Sequence, residues 1–175
     1  MAQPGKRSDA LGMAVRMEEE GIAFYTQAAD RVKNKMGKQM FLSLVGDEKR
    51  HKQIFTEMAA KEGVRPAAAD ELEKSGPRQR MGHIFREAAA QLAGQIGSET
   101  DDVKVIDLAK TMEEKAYGFY VETARLVTDE KEKRILLKIA AEENEHFRIL
   151  DDTRLYLTYP EMWHIMQEKP LIDGG

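Results

Sequence analysis

The 175-residue chain contains no cysteine. That excludes disulfides, thiolate metal sites and cysteine nucleophiles, and any iron must be held by oxygen and nitrogen. It fits a cytoplasmic location, which is the expectation here. No stretch approaches the roughly 18–20 apolar residues of a membrane span, so no membrane partner is expected. Lys6 and Arg7 are not followed by an apolar segment of the kind a secretory signal carries. Long basic runs are missing too. Beyond Lys6-Arg7 and Arg78-Gln79-Arg80 the 27 basic and 31 acidic residues are interspersed, giving a net charge of −4. Nucleic acid is therefore not an expected partner. A composition of 33% charged and 42% hydrophobic residues suits one helical domain with mixed-charge surfaces.

What the chain does have, it has twice. Glu18 and Tyr25 lie seven apart and are followed by Glu48-Lys49-Arg50-His51. Glu113 and Tyr120 repeat that spacing, followed by Glu143-Asn144-Glu145-His146, and each member of the second set lies 95 positions after its counterpart. Other positions keep the same offset, among them Ala14/Ala109, Met17/Met112, Phe24/Phe119 and Leu42/Leu137. The pattern is a duplicated unit.

Helical periodicity organises both copies. Apolar stripes run through Leu11, Val15, Glu18, Ile22, Tyr25, Ala29 and Val32, and through Phe41, Leu44, Val45, Glu48, His51, Phe55 and Met58. The second half offers Ile106, Ala109, Glu113, Tyr117, Tyr120, Ala124 and Val127, then Leu136, Ile139, Ala140, Glu143, His146, Leu150 and Leu157. The expected organisation is a helical hairpin over 8–62, a crossover over 63–99, a second hairpin over 100–157 and a tail over 158–175. Within the crossover, Gly63, Pro66, Gly76 and Pro77 break structure, and the spacing over 81–96 predicts a short helix. The hairpin helices are predicted to start near Ser8, Gly37, Thr100 or Asp101, and Glu130. A helix of 25 residues is roughly 38 Å long, and a crossover of this length spans it. The fold class is thus all-α, a four-helix bundle of two duplicated antiparallel hairpins. A pseudo-twofold axis across the bundle would bring both sets of polar residues to one point.

Those polar residues sit on the apolar stripes. Four carboxylates converging in a core repel one another and lose hydration unless cations fill the gap. In Glu-x-x-His the two side chains share a helix face about one turn apart. Four carboxylates with two imidazoles suit iron or manganese better than zinc, calcium or magnesium. The predicted ligands are Glu18, Glu48, His51, Glu113, Glu143 and His146, with Tyr25 and Tyr120 placed to hydrogen-bond carboxylates across the bundle. Glu19, Glu114, Glu142 and Glu145 point off the stripes and read as solvent-facing charge. No nucleophile stands out. His83 and His164 fit no ligand pattern, and Met13, Met17, Met40, Met58 and Met112 read as core filler. Trp163, after Pro160, is expected to cap the bundle end.

Met-Glu-Glu-Glu-Gly-Ile-Ala-Phe-Tyr at 17–25, Met-Glu-Glu-Lys-Ala-Tyr-Gly-Phe-Tyr at 112–120 and the two Glu-x-x-His motifs resemble the ferritin-like superfamily, and within it the rubrerythrin-like branch. The resemblance spans about residues 9–157. It implies a ferritin-like fold and a non-haem di-iron centre, two Fe ions with Mn as an alternative, that reacts with hydrogen peroxide or O2 in oxidative-stress or iron metabolism. By position, Glu18 and Glu113 would be terminal ligands, Glu48 and Glu143 would bridge, and His51 and His146 would complete the two metals.

Two departures from that branch stand out. Without cysteine the chain lacks the rubredoxin-type iron site, so an external electron donor is expected. The branch also places a ligand glutamate three residues after the third-helix Glu, where this chain has Ala116, the repeat mate of Gly21. The leading expectation is an oxidoreductase that reduces peroxide or O2 or oxidises Fe(II). The alternative is ferritin-type iron storage without turnover. A homodimer or larger homo-oligomer is expected in either case.

Overall fold

A computed structural model describes residues 4–61 and 99–163. The crossover, including the short helix expected over 81–96 and His83, lies outside the described residues, as do His164 and the rest of the tail. Four long helices make up the described part: α1 (Pro4–Arg31), α2 (Lys35–Lys61), α3 (Glu99–Leu126) and α4 (Glu130–Thr158). Among the described residues no strand occurs, and no helix is long and apolar enough to cross a membrane.

The repeat is legible in the turns. Asn34 and Asp129 are repeat mates, and each starts the second helix of its hairpin. Asn34 Oδ1 accepts from the backbone N–H groups of Met36 and Gly37 at 2.9 and 3.0 Å. Asp129 Oδ1 accepts from those of Lys131 and Glu132, both at 2.9 Å. Each side chain thereby satisfies two of the donors that a helix start leaves without partners. The Asn34 cap is why α2 begins at Lys35, two residues before the expected Gly37. At the other end, α1 starts at Pro4 rather than Ser8, and proline suits the first helical position because its missing N–H is not needed there. After α4, Tyr159 is non-helical ahead of Pro160, and helix resumes over 160–163.

These short turns fold α1 against α2 and α3 against α4. The two hairpins then meet through α1 with α3 and α2 with α4, which is the bundle expected from the repeat. Asp102 of α3 ties the halves together by accepting from the backbone N–H groups of Lys33 and Asn34, at 3.3 and 3.4 Å. The core consists of Phe24, Phe41, Leu44, Phe55, Ile106, Leu136 and Leu150, with all five expected methionines buried among them. Trp163 packs edge-on against Tyr156, ring centroids 5.3 Å apart, at the end of α4.

One stripe residue is displaced. Tyr117 is 43% exposed. With Glu113 and Tyr120 facing inward, the 3.6-residue turn gives the intervening inward position to Ala116, which is buried. Tyr117 is left at the edge of the helix.

Candidate metal centre

Every carboxylate predicted from the stripes is deep in the bundle. Glu18, Glu48, Glu113 and Glu143 are 1, 4, 2 and 1% exposed, and His51 and His146 lie beside them. They form two groups whose ligand atoms lie within 4.8 Å of one another: Glu18, Glu48, His51 and Glu143, and Glu48, Glu113, Glu143 and His146. Glu48 and Glu143 belong to both. Each helix contributes to this cluster because its stripe carries a carboxylate where apolar residues flank it a turn away on either side.

Both imidazoles turn Nδ1 toward the carboxylates. His51 Nδ1 lies 3.1 Å from Glu143 Oε1 and 3.9 Å from both Glu18 and Glu48. His146 Nδ1 lies 3.1 Å from Glu143, 3.4 Å from Glu48 and 3.5 Å from Glu113. His51 Nδ1 and Glu143 Oε1, although close and buried, make no hydrogen bond. Two buried ligating atoms that face each other without an aligned hydrogen bond are incompletely satisfied by the polypeptide alone. A cation between them satisfies both, so the donor set fits a metal.

The tyrosines cross between halves. Tyr25 of α1 donates its hydroxyl proton to Glu113 Oε1 of α3, and Tyr120 of α3 donates to Glu18 Oε1 of α1. Tyr25 is stacked on Phe41 and Tyr120 packs on Phe55, with centroids 5.9 and 5.0 Å apart. The rings are thereby fixed, and with them the carboxylates they hold. Beside the carboxylates is a small cavity lined by Met17, Gly21, Met112, Ala116 and both tyrosines. It has room for about one water molecule. Gly21 and Ala116 thus stand where a larger residue would fill the space: a Cβ added at Gly21 would touch the Glu48 carboxylate at 3.5 Å.

Glu142 departs from its expected role. It is only 26% exposed, and its Oε2 lies 2.8 Å from His51 Nε2. Its repeat mate Asp47 faces His146 Nε2 at 3.5 Å. Each imidazole therefore has an acid from the opposite hairpin behind it, which orients Nδ1 toward the centre. Arg50 joins the two acids, donating to Glu142 at 2.8 Å and to Asp47 at 2.6 Å. The position next to a ligand looks solvent-facing from periodicity alone. The available signal was that both copies place an acid immediately before the Glu of Glu-x-x-His.

Burial dominates the electrostatics. It raises the Glu18 carboxyl well above its ordinary value, and the neighbouring Glu48 and Glu143 push the same way. Burial and the charges of Glu143 and Glu113 raise Glu48 from 4.5 to about 7. Glu143 is raised by burial and by Glu113. The tyrosine hydroxyls are also held protonated, by burial and then by Glu113 at Tyr25 and Glu18 at Tyr120. For His51, burial favours the neutral ring, but Glu143, Glu18 and Glu142 outweigh it and raise the value from 6.5 to about 9. His146 shifts in the same direction, with Glu113, Glu143 and Glu48 overcoming burial. Burial also pushes Glu142 upward, but hydrogen bonds from His51 and Arg50 prevail and hold it below the carboxylate norm.

A pH dependence follows for the metal-free protein. Glu48 and His51 are both raised relative to the unfolded chain. Each favours folding below its unfolded value and loses that contribution as pH rises through its folded value. The window runs from about pH 4.5 to about pH 9, set by these two groups. Glu142, being lowered, acts in the opposite sense only as pH falls below that window. Thermal unfolding in the presence of chelator is expected to show Tm falling by more than about 5 °C across the window. A flat or rising Tm would count against the buried cluster.

The fold and site together define a class: four-helix bundle proteins with a carboxylate and histidine centre, of the ferritin-like kind. The Rubrerythrin family profile matches residues 9–153. The chain belongs to that family. Its fold is similar to that of a hypothetical protein from Pyrococcus furiosus, with a TM-score of 0.68 at 20% identity, covering 89% of this chain and 92% of that one. No curated protein matches the sequence.

Proposed function

We propose that the chain is a non-haem di-iron oxidoreductase that reduces hydrogen peroxide or O2, or oxidises Fe(II). The observation that carries this reading is the sharing of Glu48 and Glu143 between two adjacent ligand groups. Shared carboxylates fit a pair of ions, and Glu48 and Glu143 would each help to hold both. Glu18 with His51 and Glu113 with His146 would complete the two ions. When bound, the ions supply the electrons that a small oxidant takes up.

The chain's own residues set the surroundings. The Tyr25 and Tyr120 hydroxyls keep their protons and hold Glu113 and Glu18 in place. Met17, Met112, Ala116 and Gly21 exclude bulk water but leave a cavity of about one water molecule beside the carboxylates. Asp47 and Glu142 stand behind the imidazoles and keep Nδ1 turned inward. With no cysteine in the chain, electrons to restore the centre come from a separate donor.

The test is anaerobic loading with Fe(II), followed by mixing with hydrogen peroxide and with O2 in separate stopped-flow runs. Near-ultraviolet absorbance of Fe(III) is expected to grow within seconds to minutes with at least one oxidant. Loaded protein that responds to neither would sink the redox assignment.

A further inference from the structure

The two halves of the chain match at the centre but differ at the surface outside it. Between α3 and α4 lies a groove of about 280 Å³ lined by Glu113, Glu114, Tyr117, Asn144 and Phe147. Glu113 also lines the small cavity among the buried carboxylates. Glu113, itself only 2% exposed, is therefore common to the outer groove and the centre. None of the five lining residues is basic. The nearby Lys110 ammonium, 4.9 Å from the Phe147 ring centroid, is ion-paired with Asp151 at 2.5 Å.

The repeat mates on α1 and α2 are Glu18, Glu19, Ile22, Lys49 and Lys52. Lysines stand where the groove has Asn144 and Phe147. Lys52 reaches across from α2 to Glu19 of α1 at 2.8 Å, so the approach to Glu18 is crossed by an ion pair and Lys49 leaves it with a net positive charge. The approach to Glu113 carries carboxylate and amide oxygens instead. A hydrated divalent cation is drawn to oxygen donors of that kind, and like charge opposes it on the other side.

We propose that divalent metal enters the centre from one side only, through the α3–α4 groove. Glu114 and Asn144 receive the hydrated ion at the mouth, and Glu113 passes it inward. The route rests on the metal-binding reading above and adds to it a direction of entry. It also gives the Tyr117 position a purpose: the exposed ring walls the groove instead of filling the core.

The probe is Co(II), added anaerobically to metal-free full-length protein and followed by its visible absorbance in a stopped-flow instrument. Asn144→Lys copies onto this side the charge that Lys49 carries on the other, and Glu114→Lys reverses the charge at the mouth of the groove. Each is expected to slow uptake by about tenfold at low salt, while final occupancy by elemental analysis stays that of the unaltered chain. Added salt should shrink the difference. Glu19→Lys, on the opposite side, is expected to leave the rate unchanged. Normal rates in both groove variants at full occupancy would overturn the route and leave the metal site standing. Slowing by Glu19→Lys equal to that by Glu114→Lys would also overturn it, because entry would then have no side. Failure of the unaltered chain to bind Co(II) would remove the metal reading and the route together.

Discussion

Anaerobic Fe(II) loading of the metal-free protein at about pH 8 is expected to raise its Tm by roughly 15–30 °C. The size follows from linkage. A ligand that binds only the folded state, at a free concentration a thousandfold above its Kd, contributes about 4 kcal/mol per site. In a chain of this length each kcal/mol moves Tm by roughly 2–4 °C. The structure explains why the metal-free state has so much to gain. Four carboxylates lie within a few per cent of full burial, and His51 Nδ1 and Glu143 Oε1 are left without hydrogen bonds. Ion binding removes the repulsion and the orphaned atoms in one step. Differential scanning calorimetry of chelated and loaded samples measures the shift. Coincident transitions would show that the cluster holds no ion.

The second large effect separates shared from unshared ligands. Glu48 stands in both ligand groups, whereas His146 stands in one. Glu48→Ala is therefore expected to abolish binding of both ions, and His146→Ala to leave about one of two. Elemental analysis after gel filtration counts them. Glu48→Gln adds a test of sign: it removes the charge that Glu143 and Glu113 oppose, so at neutral pH its metal-free form should melt above the unaltered metal-free protein. Loaded with Fe(II), the order reverses. A substitution that stabilises the empty bundle and destabilises the filled one is the mark of a carboxylate kept for binding. If Glu48→Gln lowered both melting points, its role would be packing.

Most of the centre could be read from the chain because its information is local. Glu18, Glu48, Glu113 and Glu143 each sit in register with apolar neighbours, and burial follows from that register whatever the helices pack against. The crossed tyrosines followed from the same stripes once two hairpins were required to meet. Glu142 did not, because what buries it comes from elsewhere. Its neighbours in sequence place it at the edge of the bundle, and only the approach of His51 from the other hairpin turns it into a hydrogen-bond partner. Tyr117 failed in the opposite direction: apolar character argued for the core, but Ala116 and Tyr120 had already taken the inward positions. The turns were half legible. Spacing located them, and the capping side chains of Asn34 and Asp129 decided where α2 and α4 begin.

The crossed tyrosines also bear on how the molecule comes apart. Glu113 receives its hydroxyl from Tyr25 and Glu18 receives its own from Tyr120, so neither hairpin contains both ends of either bond. A hairpin separated from its partner keeps its helices and turn but leaves its buried acid without a donor. The penalty falls on both halves at once. Partial unfolding of one repeat is thereby coupled to loss of the other, and the expected calorimetric trace is a single transition for both hairpins.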